Sequence, residues 1–212
     1  MDLDTVQIMR MAEGEILGVT VPITMLNYES TVVLLNAYCL GFVYLTDEQI
    51  AALSPPSELE RLERYLNRAC RLPIAILERC VEIVTQIYQN RTPDINAYQF
   101  QQVMRRLPDA IGWSPLNGDE QMRLVLLDQQ WVDSALVTGR SALTAPVAEV
   151  IASRCSPTVL QLLIRRSETP GRLLVEMLNH SDEQVRQTAI DHPNLPRAAL
   201  AMWQLAHGTA AR

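Results

Sequence analysis

The chain of 212 residues is long enough for one or two packed domains, and 48% of its residues are hydrophobic. Only 5% are aromatic, so Leu, Ala, Val and Ile supply most of the apolar surface, which favours helices packed on helices over a β-sandwich. The net charge of −6 argues against a phosphate backbone or an anionic membrane as partner. We therefore predict an all-α protein, and the negative charge disfavours nucleic acid as its partner.

All 18 basic residues are arginine, and two explanations stay open. One is the arginine bias of a GC-rich bacterial genome. The other is selection against lysine, the ubiquitin acceptor, in a protein delivered into eukaryotic host cells. The four cysteines lack the short spacing of zinc or iron–sulfur ligands, which favours buried, reduced thiols in a bacterial cytoplasm and predicts neither metal nor cofactor.

The N-terminal region shows neither a secretory signal nor a run of apolar residues long enough to span a membrane. Met1–Asp4 is acidic where a secretory signal is basic, and the apolar run from Thr31 to Leu45 is too short to span a bilayer. We expect residues 1–112 to form an N-terminal helical region. Residues 15–21 are compatible with either a short strand or an extended connection.

Most of the predicted helices in this region begin at a proline or a capping residue. They cover 3–12, a helix from Pro22, one from Ser30 towards Leu40, one from Thr46, one from a Ser57–Glu60 capping box to about Arg71, one from Pro73 to about Gln89, and one from Pro93 or Asp94 to Leu107. The following stretch, 108–118, combines Pro, Gly and Asn. Such residues interrupt helices, so this stretch is the predicted domain boundary.

The tripeptide Asp-Glu-Gln follows Thr46, Gly118 and Ser181. A hydroxyl at Thr46 or Ser181 can accept a first-turn amide, while Gln49 or Gln184 reaches back to the cap. The acids would also interact favourably with the helix dipole. These tripeptides predict helix starts and carry no functional signal.

Residues 113–212 contain short apolar segments that begin at Pro146, Pro170 and Pro196, spaced by 24 and 26 residues. A period in the twenties indicates repeats. The predicted helices are 119–128, 130–139, 146–153, 157–166, 170–179, 182–190 and 196–206. Each is too short to be stable alone, so we expect a stack in which neighbours bury one another's apolar faces.

The segment from Leu178 to Pro196 contains Val185-Arg186, Ala189 and a terminal Pro193-Asn-Leu-Pro196. It resembles the leucine-rich repeat variant family and, more loosely, HEAT-like helical repeats. The resemblance concerns only the C-terminal part and implies a short right-handed α-solenoid. Such surfaces commonly serve recognition.

The sequence contains no Ser-His-Asp pattern, phosphate-binding loop, metalloprotease motif or kinase signature. His180 and His192 fall at helix ends, where a polar side chain can complete the terminal carbonyls. The alternative is that this pair binds a metal ion together with Asp182 or Asp191. The predicted function is non-catalytic binding of another protein, as an adaptor, chaperone or assembly factor. The alternatives are a component or delivered effector of a bacterial specialised secretion system and a nucleic-acid-binding HEAT-like protein.

The candidate partner-binding residues are one tryptophan and two arginine pairs: Trp113, Arg105, Arg106, Arg165 and Arg166. An exposed Trp113 on a Pro-rich connection would be a hot spot for a partner. A nucleic-acid protein would place all four arginines along one concave face. The sequence leaves the oligomeric state and the identity of the partner open.

Overall fold

The structure, a computed structural model, describes residues 5–12, 15–22, 28–90 and 96–207. Within these ranges the chain forms twelve α-helices and one β-hairpin. The all-α fold class is confirmed, with the hairpin as an N-terminal addition. No helix in the described ranges is long and apolar enough to cross a membrane.

The chain divides into two compact units, residues 1–116 and 117–212. The first contains β1 (Thr5–Ala12), β2 (Glu15–Pro22), α1 (Tyr28–Cys39), α2 (Asp47–Ala52), α3 (Leu59–Leu66), α4 (Ile74–Asn90) and α5 (Ala97–Trp113). The second contains α6 (Gly118–Val125), α7 (Gln130–Thr138), α8 (Ala145–Ala152), α9 (Pro157–Ile164), α10 (Gly171–Met177), α11 (Glu183–Ile190) and α12 (Arg197–Ala206).

The N-terminal hairpin corrects the predicted helix over 3–12. Strands β1 and β2 pair antiparallel, with Val6 opposite Val21 and Ile8 opposite Val19. Valine and isoleucine have high strand propensity, and the backbone pairing of the two strands fixes the extended conformation of this segment. The segment 15–21, left open by the sequence, is therefore a strand, and Pro22 ends it instead of starting a helix.

Two predicted helix starts in the first unit are also wrong. Ser30 lies inside α1, which begins at Tyr28. Helix α3 begins at Leu59 after Glu58, which makes no side-chain capping bond, so the predicted box at Ser57 does not form. Leu62, Tyr65 and Leu66 are buried on α3, so packing of its apolar face stabilises a helix that lacks a side-chain cap.

Helix α5 extends well past its predicted end. Its predicted start at Pro93 or Asp94 lies outside the described residues, and the described helix begins at Ala97, capped by Asn96. It continues through Pro108 to Trp113, so much of 108–118 is helix and not a connection. Proline removes one helical donor, but Ala110 and Ile111 beyond it are buried, and this packing outweighs the local cost.

The three Asp-Glu-Gln tripeptides all start helices, but only one in the expected way. Thr46 and Gln49 form the predicted capping box. At the second site Asn117 is the cap. At the third, the carboxylate of Asp182 accepts the amides of Gln184 and Val185, so the predicted cap at Ser181 is wrong.

The seven helices predicted in the second unit are all present, with bounds within about one turn of those expected. Helices pack against neighbours in the chain, as α6 does with α7 and α10 with α11. They also pack on the helix two places along, because α6 contacts α8, α7 contacts α9 and α9 contacts α11. Short helices thus bury their apolar sides against a succession of neighbours.

Candidate partner-binding groove

Arg166 holds a loop of the second unit together. Its Nη1 donates to the carbonyls of Val137 and Gly139 at 2.7 and 2.9 Å, and its Nη2 donates to Ser141 at 2.6 Å. Its Nε donates to Glu168 at 2.6 Å. The guanidinium therefore satisfies carbonyls in the last turn of α7 and in the connection from α7 to α8, which is a role within the fold.

Glu168 completes this contact by accepting the amide of Leu143 at 3.3 Å. Burial raises the pKa of its carboxyl, but hydrogen bonds from its own amide, Arg166 and Leu143, with the charge of Arg166, outweigh burial and hold the pKa below its usual value. The ionised carboxylate is thus part of the folded state.

A second side chain, 26 residues further along the chain, also binds a connection between helices. His192, 26 residues after Arg166, places Nε2 3.0 Å from the Arg166 carbonyl, while its Nδ1 accepts the amide of Asn194 at 3.0 Å. This pattern assigns the proton to Nε2. Asn194 Nδ2 donates to the carbonyls of Ser167 and Thr169. Arg166 and His192 therefore each lie two residues after a helix, α9 and α11 respectively, and bind an earlier part of the chain.

Arg154, in the connection after α8, binds residues of α6, of α7 and of the connection between them. Its Nε and Nη2 donate to the two carboxylate oxygens of Asp133, both at 2.8 Å. Further bonds reach Asp128 at 2.6 Å and the carbonyl of Val125 at 2.7 Å. The hydrogen bond to Asp133 is the main reason that the pKa of Arg154 is raised. The Asp133 side chain is 0% exposed, so Arg154 is the cation that compensates the burial of its carboxylate.

The structure assigns the four candidate arginines to different environments. Arg166 is bound internally, whereas Arg165 is exposed beside it. Arg105 and Arg106 are exposed on α5 in the first unit. Only Arg106 lies in a cavity with the fifth candidate, Trp113.

This cavity, which we call the Trp113 groove, has a volume of about 290 Å³ and lies within the first unit. One wall is the α5 face that carries Arg106, Asp109 and Trp113, spaced at i, i+3 and i+7 on one side of the helix. The other is the end of α3 and the following connection, residues 66–70. Trp113 remains 45% exposed, so its indole is open to a partner.

Specific hydrogen bonds fix both walls of the groove. Asn36 on α1 donates to the carbonyl of Arg68 at 3.0 Å and accepts the amide of Arg71 at 2.8 Å. The buried hydroxyl of Ser114 accepts the amide of Leu72 at 2.8 Å and donates to Ala110 at 2.7 Å. The connection is thus tied to α1 and to the end of α5, and the groove is pre-organised.

Sequence reasoning missed Asp109, Arg68 and the supporting residues Asn36 and Ser114. The spacing of Arg106, Asp109 and Trp113 is a helical-face signal, but the assumed stop at Leu107 concealed it. The bonds of Asn36 and Ser114 span 32 to 42 residues, which no local pattern reveals.

The described ranges contain no group of three His, Cys, Asp or Glu side chains placed to hold a metal ion. The Nδ1 atoms of His180 and His192 each accept a backbone amide, which gives both rings a structural role. Comparisons with protein-family models, with curated proteins and with solved structures found no match.

Proposed function

We propose that this protein is a non-catalytic interaction module, an adaptor, chaperone or assembly factor, that binds another protein through its helical surfaces. The Trp113 groove is the principal contact, and the repeat stack of the second unit supplies further recognition surface. Resemblance of 178–196 to leucine-rich repeat variant proteins supports this reading, because helical stacks commonly serve recognition.

The observation that carries the proposal is the partly exposed Trp113 in a groove whose walls are already fixed. Tryptophan and arginine are the residues most enriched among those that dominate binding energy, and they act best in pockets. A pre-organised groove also reduces the entropy lost on binding.

The groove offers its partner both apolar and charged contacts. The Trp113 indole provides an apolar surface, Arg106 can pair with a partner carboxylate, and Asp109 can accept from a partner cation. A segment that inserts one apolar side chain and carries mixed charge beside it would match this lining.

Affinity purification of the tagged protein from its native cells, followed by mass spectrometry, tests the proposal. Two pairs of residues on α5 provide matched comparisons. Arg106→Ala removes an arginine that lines the groove, and Arg105→Ala removes the adjacent arginine that does not. Trp113→Ala and Tyr98→Ala likewise compare two exposed aromatic residues of α5.

We expect a stoichiometric protein partner that is lost with Arg106→Ala and Trp113→Ala and retained with Arg105→Ala and Tyr98→Ala. Circular dichroism of each variant checks that the fold is preserved. Recovery of no protein partner, together with tight binding of nucleic acid, would overturn the proposal.

A further inference from the structure

Arg186 on α11 is anchored at one end of its guanidinium. Its Nη1 donates to the carbonyls of His180 at 2.7 Å and Ser181 at 3.0 Å. These two bonds orient the planar group, and the Nε and Nη2 donors along its other edge have no partner within the described ranges. That edge presents the parallel pair of N–H groups that matches the two oxygens of a carboxylate.

The other arginines of the second unit that are partly buried have an acidic partner. Arg154 pairs with Asp133, and Arg166 pairs with Glu168. In the described part of the chain, no carboxylate lies within 4.0 Å of Arg186. A partly buried guanidinium that is oriented but lacks a counter-ion has the geometry of an anion site that a ligand completes.

The cavity beside Arg186 has no acidic side chain in its lining. It has a volume of about 470 Å³ and is lined by Arg186, His180, Leu178, Trp203 and His207. His180 accepts the Asp182 amide through Nδ1, so its Nε2 carries the proton and is a donor.

Trp203 provides an independent sign that this end of the unit is incomplete. Its indole Nε1 is buried without an acceptor in the described ranges, which is rare because an unpaired buried donor costs stability. The Trp203 ring stacks on His207 with centroids 4.5 Å apart, and with Leu178 it forms an apolar wall of the cavity. The same helix leaves Met202 and Leu205 each 72% exposed.

We propose that this cavity binds a carboxylate group carried next to an apolar side chain. Arg186 receives the carboxylate through its Nε and Nη2 edge, His180 donates to it, and Leu178 and Trp203 contact the apolar group. The carboxylate belongs either to a small organic acid or to the C-terminus of a peptide. This site lies in the second unit and does not depend on the Trp113 groove.

NMR spectroscopy of the ¹⁵N-labelled full chain tests this proposal, with the Arg186 Nε–H signal as the probe. The ligands are N-acetyl-L-leucine and its neutral counterpart N-acetyl-L-leucinamide, with a hexapeptide that ends in leucine added as free acid and as C-terminal amide. Arg186→Lys keeps the positive charge but removes the parallel pair of N–H donors. Arg172→Lys makes the same change at an exposed arginine on α10 and is the matched control.

We expect the free acids to shift the Arg186 signal in a saturable way and the amides to leave it unchanged. In Arg186→Lys the indole Nε1–H signal of Trp203, which lines the same cavity, reports binding. This variant should bind the free acids about tenfold more weakly through loss of the bidentate contact, and Arg172→Lys should have no effect. Tighter binding of the hexapeptide than of N-acetyl-L-leucine would identify a peptide C-terminus, and equal binding would identify a small acid. Absence of a shift, or equal shifts from acid and amide, would overturn the proposal.

Discussion

Removing Arg154 should expose how strongly the second unit depends on its buried ion pair. Arg154→Met keeps the aliphatic stem but deletes both hydrogen bonds to Asp133, which is fully buried. The Asp133 carboxylate is then left without a cation in a site that water does not reach. Breaking a buried pair on one side typically costs about 3–5 kcal/mol of unfolding free energy.

The expected loss lies near the lower end, about 3 kcal/mol, because the Arg154 side chain keeps 24% of its surface in water. The double variant Arg154→Met/Asp133→Leu removes both charges and fills the space with apolar atoms. Such replacements are often neutral, so the double variant should recover most of the loss. The surface pair of Arg172 and Glu176 provides the control, and Arg172→Met should cost less than about 0.5 kcal/mol.

Urea unfolding followed by far-ultraviolet circular dichroism measures these free energies in the full chain. Hydrogen–deuterium exchange of peptides from 117–207 reports the second unit separately. If Arg154→Met cost no more than Arg172→Met, or if the double variant were less stable than Arg154→Met alone, the buried Asp133 carboxylate would not depend on Arg154.

Three further perturbations probe other contacts. Ser114→Ala leaves the buried Leu72 amide without its acceptor, so it should cost about 1–3 kcal/mol of unfolding free energy and speed hydrogen exchange of that amide. Ser153→Ala removes an exposed hydroxyl and should change the unfolding free energy by less than about 0.5 kcal/mol. Equal effects of the two variants would contradict a structural role for the Ser114 hydroxyl. Glu168 has a lowered pKa, so its stabilisation is complete above about pH 5 and is lost as the pH falls through the folded pKa. The difference in unfolding free energy between wild type and Glu168→Gln should therefore shrink on acidification, and a constant difference from neutral to acidic pH would disprove this. Asp128 has a φ of +55°, a backbone conformation that glycine adopts readily and a β-branched residue does not. In thermal unfolding, Asp128→Gly should stay within about 1 kcal/mol of wild type, and Asp128→Val should be clearly less stable. The reverse order would contradict the strained backbone at this position.

Local patterns predicted the parts of the fold whose determinants lie close together in sequence. The capping box of Thr46 and Gln49 needs only four residues, and it forms as expected. The short helices of the second unit followed from proline positions and apolar spacing, because each turn of such a helix is readable from its own residues.

The parts that failed depend on distant partners or on competing propensities. Strand β1 contains apolar residues at spacings compatible with a helix, but pairing with β2 decides its conformation. Helix α5 passes through Pro108 because burial of Ile111 outweighs the lost bond. The bonds from Arg154 to Asp133 and from Leu72 to Ser114 span 21 and 42 residues, so composition and periodicity carry no information about them.

A protein partner that binds at the Trp113 groove should lose affinity when the indole is removed, and titration with the purified partner measures that loss. Isothermal titration calorimetry compares wild type, Trp113→Ala and Tyr98→Ala. We expect Trp113→Ala to weaken binding by about 30-fold, which corresponds to about 2 kcal/mol, and Tyr98→Ala to stay within about twofold of wild type. Equal affinities for Trp113→Ala and wild type, in a variant that keeps its helical content, would show that the partner does not bind at the Trp113 groove.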